Sequence, residues 1–423
     1  MLLHRSRLAL RALAARRAVA SVSNSKAPFS SLGFFPGTEL PYVPELVFQD
    51  PAERDRIPCY RILNEAGEIV DGAKDPELGQ DVCTQIYANM LRLNAMDNIF
   101  YDAQRQGRIS FYMTSYGEEA AQFGSASALR LSDMVFGQYR EPGVLMWRGF
   151  TLEQFADQCF SNKDGHGKGR QMPVHYGSVD LNYHTISSPL ATQIPHAVGA
   201  AYAFKLAKEN RISICYFGEG AASEGDFHAA LNIAATRECP VLFFCRNNGF
   251  AISTPTVDQY RGDGIASRGI GYGIPYMRVD GNDFLAVHEA TRFARAYILE
   301  HNRPVIIETM EYRQGHHSTS DDSTRYREVA EIKRWKETCD PIDRTKNYLL
   351  RRGWLSEEQD QHLRDNERTN VLAALQKAES KSPPPLETMF EDVYDDKPPH
   401  LLEQEREMLD HVAKYPDHYA AGH

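Results

Sequence analysis

Short unbroken apolar runs alternate along the chain with longer stretches in which apolar residues recur at helical spacing. Ile212 to Phe217 and Val241 to Cys245 are apolar runs that end in glycine-containing turns, which is typical of buried strands. Between them, Ser223 to Thr236 carries Ala, Leu and Ile at helical spacing, with Ser223 as a candidate N-cap. The pattern predicts a strand–turn–helix–strand unit.

The same alternation extends over most of the remaining chain. Further strands are predicted at 134–136, 277–279 and 305–310, and helices at 80–105, 151–159, 193–208, 283–300, 328–338, 344–353, 357–377 and 401–412. Another helix is predicted within 112–129, starting near Gly117-Glu118-Glu119. Strands that alternate with helices indicate a doubly wound, mostly parallel sheet with helices on both faces. We therefore expect an α/β domain over 80–380, after an extended N-terminal arm over 41–79 that wraps a neighbour and before a C-terminal helical tail over 381–423.

Two loops stand out in this pattern by their composition. Residues 161–171 are polar and glycine-rich, and we expect a mobile loop of the kind that often closes over a site, although most such loops are only linkers. Residues 254–273 are also glycine-rich, and we expect an irregular segment there.

Polar side chains follow the two central strands at the points where they end. Glu219 comes directly after the first strand, among small residues that let a bulky anion approach the backbone, and Asn248 follows the second. A carboxylate, an amide oxygen and a backbone carbonyl, for which Phe250 is well placed, form the kind of oxygen site that Mg²⁺ prefers when phosphate oxygens complete it. Ligands in parallel α/β sheets bind beyond the carboxyl ends of such strands, so both turns together predict a site.

Other polar groups follow further predicted strands. Arg140 follows the strand at 134–136, where an arginine can hold a diphosphate oxygen, although by spacing alone a surface ion pair with Glu141 is the better interpretation. His316 and His317 precede Asp321 and Asp322, but adjacent histidines on a loop do not easily face one ion and no cysteine is near, which argues against zinc. A histidine at a strand end can instead donate a proton or stabilise an anion.

Composition and the N-terminus narrow the class of protein. The chain has 423 residues, a net charge of −10 and no basic stripe, so nucleic-acid binding is not suggested, and no apolar run is long enough to insert into a membrane. Seven scattered cysteines without a Cys-x-x-Cys pair favour a reducing compartment. Residues 1–26 contain five arginines and no acid, which predicts a mitochondrial presequence within 1–40 and a matrix location.

These turns resemble a signature of thiamine diphosphate enzymes. Gly218-Glu219-Gly220 through Asn247-Asn248 is similar to their diphosphate–magnesium motif, usually GDG…NN, with Glu here in place of the common Asp. The surrounding sequence, GEGAASEGD…CRNNGFAISTPT, resembles the alpha subunits of the branched-chain 2-oxo acid dehydrogenases. The resemblance extends from about Pro41 to near the C-terminus. The resemblance implies the thiamine diphosphate-binding fold and decarboxylation of 2-oxo acids derived from Leu, Ile and Val.

The resemblance also implies roles for individual residues. The cofactor is expected to contact Tyr139, Arg140, Ser188, Leu190, Gly218, Glu219, Gly220, Ala221, Arg246, Asn248 and His317, with Mg²⁺ on Glu219, Asn248 and Phe250. A K⁺ site is expected on Ser187, Pro189, Thr192 and Gln193, for which ordinary helix capping is a good alternative. His317 is the expected catalytic residue, and Phe111, Tyr112 and Gln138, with Leu190, are candidate residues of the substrate pocket.

The resemblance further implies regulation and partners. Ser318 is the expected target of a regulatory kinase and its phosphatase, because a phosphate there would add about two negative charges beside His317. The family has a second phosphorylated serine, whose position is occupied by Glu328 here, so we expect this second phosphorylation site to be absent. The acid that acts on the aminopyrimidine ring comes from the beta chain in such enzymes, which predicts an α2β2 heterotetramer and an inactive isolated chain. The acyl group would pass to a lipoyl-bearing acyltransferase core.

Four other interpretations compete with this one. A transketolase-like single-chain enzyme would be longer and carry both halves of the cofactor site. A pyruvate dehydrogenase alpha subunit would carry a loop closer to YRYHGHSMSDPG than the YRQGHHSTSDDS found here. A non-catalytic subunit of the same fold is disfavoured by the presence of Glu219, Asn248 and His317. A nicotinamide dehydrogenase is disfavoured because Gly218-x-Gly220 lacks the third glycine of the dinucleotide motif.

Overall fold

A computed structural model of the protein describes residues 32–35 and 38–419. The described chain forms two units, one ending at Asp55 and one beginning at Arg56. In the first unit, β1 (Leu32–Phe35) and β2 (Thr38–Pro41) pair antiparallel. Most of the presequence predicted within 1–40 lies outside the described residues.

The second unit is built on a parallel sheet of seven strands. The strands are β3 (Cys59–Tyr60), β4 (Met134–Phe136), β5 (Tyr183–His184), β6 (Ser213–Gly218), β7 (Val241–Asn247), β10 (Tyr276–Asp280) and β11 (Val305–Met310), and a two-stranded hairpin, β8 (Phe250–Ala251) and β9 (Thr254–Pro255), follows β7. Their order across the sheet is β3-β10-β11-β7-β6-β4-β5, and every neighbouring pair is parallel. The predicted α/β sheet is therefore confirmed.

Helices cover both faces of this sheet. They are α1 (Gln80–Arg105), α2 (Glu119–Ser127), α3 (Pro142–Trp147), α4 (Leu152–Cys159), α5 (Gln193–Ala207), α6 (Gly225–Arg237), α7 (Thr256–Gln259), α8 (Arg268–Tyr272), α9 (Phe284–His301), α10 (Val329–Cys339), α11 (Pro341–Arg351), α12 (Glu357–Glu379) and α13 (Pro399–Lys414). The core divides into two clusters because successive strand side chains point to opposite faces. In β6, Ile214 and Tyr216 pack with α1 and α9, whereas Cys215 and Phe217 pack with α5 and α6.

Most predicted elements are confirmed to within a few residues, with one clear error. The helix predicted within 112–129, with its start near Gly117-Glu118-Glu119, begins at Glu119, and Gly117 before it adopts a positive φ of 85°. Ser223 is not the cap of α6, because it lies in a short 3₁₀ turn and Glu224 occupies the N-cap position. The irregular segment predicted at 254–273 contains the short elements β9, α7 and α8.

The part of the predicted arm from Arg56 onward and the loop predicted as mobile both make contacts within the second unit. Strand β3 pairs with β10, and the amides of Ile62 and Leu63 both donate to the Asp283 carboxylate at 2.6 Å. In the glycine-rich loop, the amide of Lys163 donates to the Ser382 carbonyl at 3.0 Å. The domain boundaries at 41, 80 and 381 remain predictions. No helix of the described residues is long and apolar enough to cross a membrane.

Candidate active site

The site lies where β4, β6, β7 and β11 end side by side at the carboxyl edge of the sheet. The register aligns Gly218 with Arg246 across β6 and β7, and Asn247 with Met310 across β7 and β11. The ladder continues beyond β6, because the amide of Glu219 donates to the Arg246 carbonyl at 3.2 Å. The predicted motifs therefore meet at one edge of the sheet although they are distant in sequence.

Glu219 is a buried carboxylate that lacks a full set of partners. Glu219 is 1% exposed, and its Oε1 has no hydrogen-bond partner among the described residues. Burial raises the pKa of Glu219 to about 7, because the charged form is poorly solvated. A buried acceptor without a donor costs free energy unless a cation or proton meets it, so this oxygen fits a metal ligand.

Asn248 and Phe250 follow β7 beside this position. Asn248 is 5% exposed, and its Oδ1 accepts only a long hydrogen bond of 3.3 Å from the Phe250 amide. The Phe250 carbonyl accepts from Arg313 at 3.5 Å, a weak contact. Within the described part of the chain, no cluster of three or more His, Cys, Asp or Glu side chains is placed to bind a metal. The predicted Mg²⁺ site is of another type, with one carboxylate, one amide oxygen and one backbone carbonyl.

Two buried arginines lie in the same region and share the carboxylate of Glu118. Arg246 Nη1 hydrogen-bonds to Glu118 Oε2, and Arg140 Nε lies 3.7 Å from Oε1. All three residues are at most 2% exposed. Ion pairs removed from water to this extent are weakly screened, so Glu118 holds both guanidinium groups in place at this edge of the sheet.

Glu141 holds the turn that follows β4. Its Oε2 accepts from the amides of Gln138 and Tyr139 at 2.8 and 3.0 Å, while Oε1 accepts from Arg246 Nε at 2.6 Å. Gln138 Oε1 in turn accepts from the Gly218 amide at 2.9 Å. The carboxylate that sequence spacing paired with Arg140 is thus bound to Arg246, and it joins the ends of β4 and β7.

His317 lies next to Arg140 and is half-buried. Arg140 Nη2 donates to the His317 carbonyl at 2.9 Å and lies 3.3 Å from its Nδ1, and the Tyr139 ring packs edge-on against the imidazole. Burial lowers the pKa of His317 to about 3, and the charges of Arg140 and Arg313 act in the same direction. The imidazole is therefore neutral near pH 7 and can act through one N–H donor and one acceptor nitrogen.

The loop that carries His317 is closed on itself. Asp321 accepts from the His317 amide at 2.8 Å and from the Tyr326 hydroxyl at 2.6 Å. Arg327 donates to the carbonyls of Arg313 and Gly315, the latter at 2.6 Å. Ser318, the expected phosphorylation target, is only 8% exposed inside this loop.

The residues expected to bind K⁺ lie within one turn before and at the start of α5. Thr192 Oγ1 donates to the Pro189 carbonyl at 3.1 Å. Gln193 Nε2 donates to the Tyr216 carbonyl at 3.1 Å, so Gln193 Oε1 is the end of the amide that remains for a ligand among the described residues. Ala191, which lies between Pro189 and Thr192, has a positive φ of 68°, a conformation that non-glycine residues rarely adopt. Ser187 and Ser188 precede this turn, and the Ser188 hydroxyl hydrogen-bonds to His175 Nε2 at 2.8 Å.

The candidate substrate-pocket residues differ in how far they are exposed to solvent. Tyr112 is 1% exposed and its hydroxyl donates to Asp97 at 2.9 Å, so the ring belongs to the core, while its backbone binds Thr319 of the His317 loop. Phe111 is half-buried and Leu190 is 40% exposed. The pocket assignment remains a prediction, with Phe111 and Leu190 as the more accessible members.

Three buried acids of this region were not predicted as site residues. Glu118 and Asp97 lack any local motif, and Glu311 lies directly after β11 with Oε2 unpartnered within the described residues. Burial raises the pKa of Glu311 well above its usual range, and the neighbouring Glu118 adds to the shift. Only the position of Glu311 after an apolar strand offered a signal in the sequence.

Comparison with known proteins agrees with this geometry. Residues 87–387 match the family described as the dehydrogenase E1 component. The match covers most of the chain, and the chain belongs to this family.

At a finer level, the chain is similar to proteins named 2-oxoisovalerate dehydrogenase subunit alpha, mitochondrial. It is 54% identical to that of Mus musculus over 389 residues, which cover 92% of this chain and 88% of the relative. It is 51% identical to the subunit alpha 2 of Arabidopsis thaliana over 91% of this chain and 82% of the relative, and 54% identical to that of Caenorhabditis elegans over 86% and 84%.

Proposed function

We propose that this chain is the alpha subunit of a mitochondrial 2-oxoisovalerate dehydrogenase, the E1 component that decarboxylates branched-chain 2-oxo acids. Similarity to the alpha subunits of mouse, plant and nematode over most of the chain supports the substrate class. The E1 family implies thiamine diphosphate as the cofactor. Mg²⁺ and K⁺ are part of the proposal.

The observation that carries the cofactor assignment is the unpartnered, buried Oε1 of Glu219 at the end of β6. A carboxylate in that state would be a liability in a purely structural turn, because one of its oxygens is neither solvated nor hydrogen-bonded. Together with the Asn248 Oδ1 and the Phe250 carbonyl, it supplies the hard oxygen ligands that suit Mg²⁺ bound to a diphosphate. The charge of Arg246 favours the ionised form of Glu219, and Arg140 and Arg246 are both held by Glu118.

Bound thiamine diphosphate supplies the nucleophilic carbon that protein side chains lack. The residues of this chain then hold and orient the reactants. Arg140 keeps its guanidinium against the His317 backbone at 2.9 Å, which holds the imidazole beside Arg140. A neutral imidazole in this place can donate one hydrogen bond to oxygen atoms of the substrate without adding a second positive charge.

The remaining partners follow from the same proposal. A beta subunit would complete an α2β2 assembly in the mitochondrial matrix, and a lipoyl-bearing acyltransferase core would receive the acyl group. A kinase and a phosphatase would act on Ser318. The C-terminal helix α13 has no buried residue, which supports a tail that contacts a partner subunit.

The test is decarboxylation of 3-methyl-2-oxobutanoate by this chain co-expressed with a matching beta subunit, with and without thiamine diphosphate and Mg²⁺. We expect turnover that requires both additions, is abolished by chelation of Mg²⁺ and favours the branched acid over pyruvate. Preference for pyruvate would instead identify a pyruvate dehydrogenase subunit. Absence of turnover with every 2-oxo acid would favour a non-catalytic subunit.

A further inference from the structure

Glu118 contacts three of the groups expected to hold the diphosphate and its metal ion. It lies at the N-cap of α2, and its side chain is fully buried. Oε2 accepts from Arg246 Nη1, and Oε1 accepts from Asn248 Nδ2 at 2.9 Å and lies 3.7 Å from Arg140 Nε. One carboxylate therefore joins groups from the ends of β4 and β7 to a helix that contributes no expected ligand.

The contact with Asn248 decides which end of its amide faces the metal position. An asparagine amide can present either its NH₂ or its oxygen, and only the oxygen can coordinate a cation. Because Nδ2 is bound to Glu118, Oδ1 is the end left for a ligand, with only the 3.3 Å contact from the Phe250 amide. Without a negative acceptor at Glu118, the opposite orientation of the amide would no longer be disfavoured.

The contact with Arg246 fixes a guanidinium group from a second side. Glu141 binds Nε at 2.6 Å, and Glu118 binds Nη1, so the plane of the guanidinium is determined by two carboxylates. Fixed donors bind an anion more strongly than mobile ones, since no ordering is required at the moment of binding.

We propose that Glu118 is a positioning residue for cofactor binding, which sets the amide orientation of Asn248 and the guanidinium orientation of Arg246 and Arg140. This inference rests on the proposed function, in that the bound groups are a diphosphate and Mg²⁺. It predicts that loss of the Glu118 charge weakens two linked quantities, cofactor affinity and the dependence of that affinity on Mg²⁺.

The test compares Glu118→Gln with Glu119→Gln in the complex with the beta subunit. Glu119 is a matched control, because it is 1% exposed, lies at the next position and accepts from the Gly117 amide at 2.9 Å instead of from Arg246 or Asn248. Burial raises the pKa of Glu119 well above its usual range, so glutamine closely mimics its protonated form. Calorimetric titration with thiamine diphosphate at several Mg²⁺ concentrations gives both quantities without any substrate.

In Glu118→Gln we expect the dissociation constant for thiamine diphosphate and the Mg²⁺ concentration for half-maximal binding each to rise by about tenfold or more. Glu119→Gln should match the wild type in both. Wild-type binding by Glu118→Gln would overturn the proposal, as would an equal loss in the two variants, which would indicate only disturbed packing at the start of α2.

A third variant covers the case in which Glu118→Gln does not assemble. Glu118→Asp keeps the charge but is one methylene shorter, so it cannot reach Arg246 and Asn248 together, and we expect weaker Mg²⁺-dependent binding. Wild-type binding by this variant, or failure of both variants to assemble, would refute a positioning role. If the wild-type complex itself does not bind thiamine diphosphate, the proposed function fails rather than this inference.

Discussion

At the scale of single residues, His317 is the group whose chemical state the structure defines most clearly. We expect His317→Gln to lower turnover by about 10²- to 10⁴-fold, the usual contribution of a positioned proton-transfer or hydrogen-bonding group. Cofactor affinity should change little, because Arg140 is held by Glu118 and by the Thr114 carbonyl in addition to the His317 loop. Turnover and cofactor titration of the same preparation measure both effects.

The same residue predicts a pH dependence of stability. Its folded pKa of about 3 lies below the ordinary value of 6.5, so the unfolded chain takes up a proton first as the pH falls. Native stability from this group is therefore complete above 6.5 and is lost as the pH falls towards 3. Between about pH 7.5 and 5.5, the melting temperature of the complex should fall more for the wild type than for His317→Gln. His362→Gln, at an exposed position of α12, is the control, and equal slopes in all three would contradict the pKa direction.

Residue-scale contacts were also the hardest to predict from sequence. Glu219 and Asn248 were found because each follows an apolar strand, and parallel strands place such positions at one edge. Glu118 was missed because its partners, Arg246 and Asn248, are 128 and 130 residues away and no local pattern encodes them. Glu141 was considered only as an ion-pair partner of Arg140, whereas in the structure its carboxylate binds Arg246.

At the scale of elements, the His317 loop must open before Ser318 can be modified. Ser318 is 8% exposed, its hydroxyl accepts from the Ser320 amide at 3.2 Å, and Thr319 is bound to Tyr112. A charge at Ser318 has no room in this closed loop, so Ser318→Glu should displace His317 and lower turnover by about 100-fold or more. Turnover and limited digestion with trypsin measure the effect.

Trypsin reports the opening itself. Arg327 is 4% exposed while it binds two loop carbonyls, and cleavage after it should become fast only when the loop opens. Ser320→Glu places the same charge two residues away at an exposed position and should retain both turnover and protection. Loss of turnover without faster cleavage in Ser318→Glu would show that charge acts without opening the loop.

A second element-scale prediction concerns the glycine-rich loop at 161–171. Lys381 Nζ binds Asp157 at 2.8 Å, Glu153 at 2.7 Å and Asp164 at 3.2 Å, which attaches the start of the tail to α4 and to this loop. Asp157 is 3% exposed, so Lys381→Met leaves a buried carboxylate without its cation and should destabilise the chain by about 1–3 kcal/mol. Denaturant unfolding of the complex measures this loss.

Lys377→Met provides the matched control for Lys381. Lys377 binds only Glu153, its side chain is 61% exposed, and such surface pairs contribute about 0–1 kcal/mol. Equal losses in the two variants would argue against the buried pair with Asp157. Mobility of this loop was predicted from its glycines and polar residues. Composition alone does not reveal an attachment between residues more than 200 positions apart.

Elements with a strong local pattern were predicted well. The bounds of α1 and β11 agree with the structure at both ends, because long helical periodicity and an apolar run between turns leave few alternatives. The predicted start of α2 near Gly117 agrees with the observed start at Glu119, and the residues before it form a loop in which the Asp97 carboxylate accepts from the Ser115 amide at 2.6 Å.

At the scale of the whole molecule, another chain is expected to complete the site. Leu190 and Ile252 are 40% and 52% exposed. In the proposed assembly, the beta subunit would cover these apolar side chains. In the proposed function, the side chains assembled here would serve the diphosphate and metal end of the cofactor, whereas the family resemblance assigns the acid for the aminopyrimidine ring to the beta chain.

The isolated chain should therefore be inactive even when saturated with thiamine diphosphate and Mg²⁺, because it can hold the charged end of the cofactor without activating the other end. Adding a purified beta subunit should restore decarboxylation of 3-methyl-2-oxobutanoate in proportion to the complex formed, and turnover should saturate when the two subunits are equal in amount. Albumin at the same concentration controls for general stabilisation, and the beta subunit alone controls for contaminating activity. Cofactor-dependent turnover by the isolated chain would show that both ends of the cofactor are served within it, and the two-chain site would then have to be abandoned while the assignments at Glu219 and Asn248 could stand.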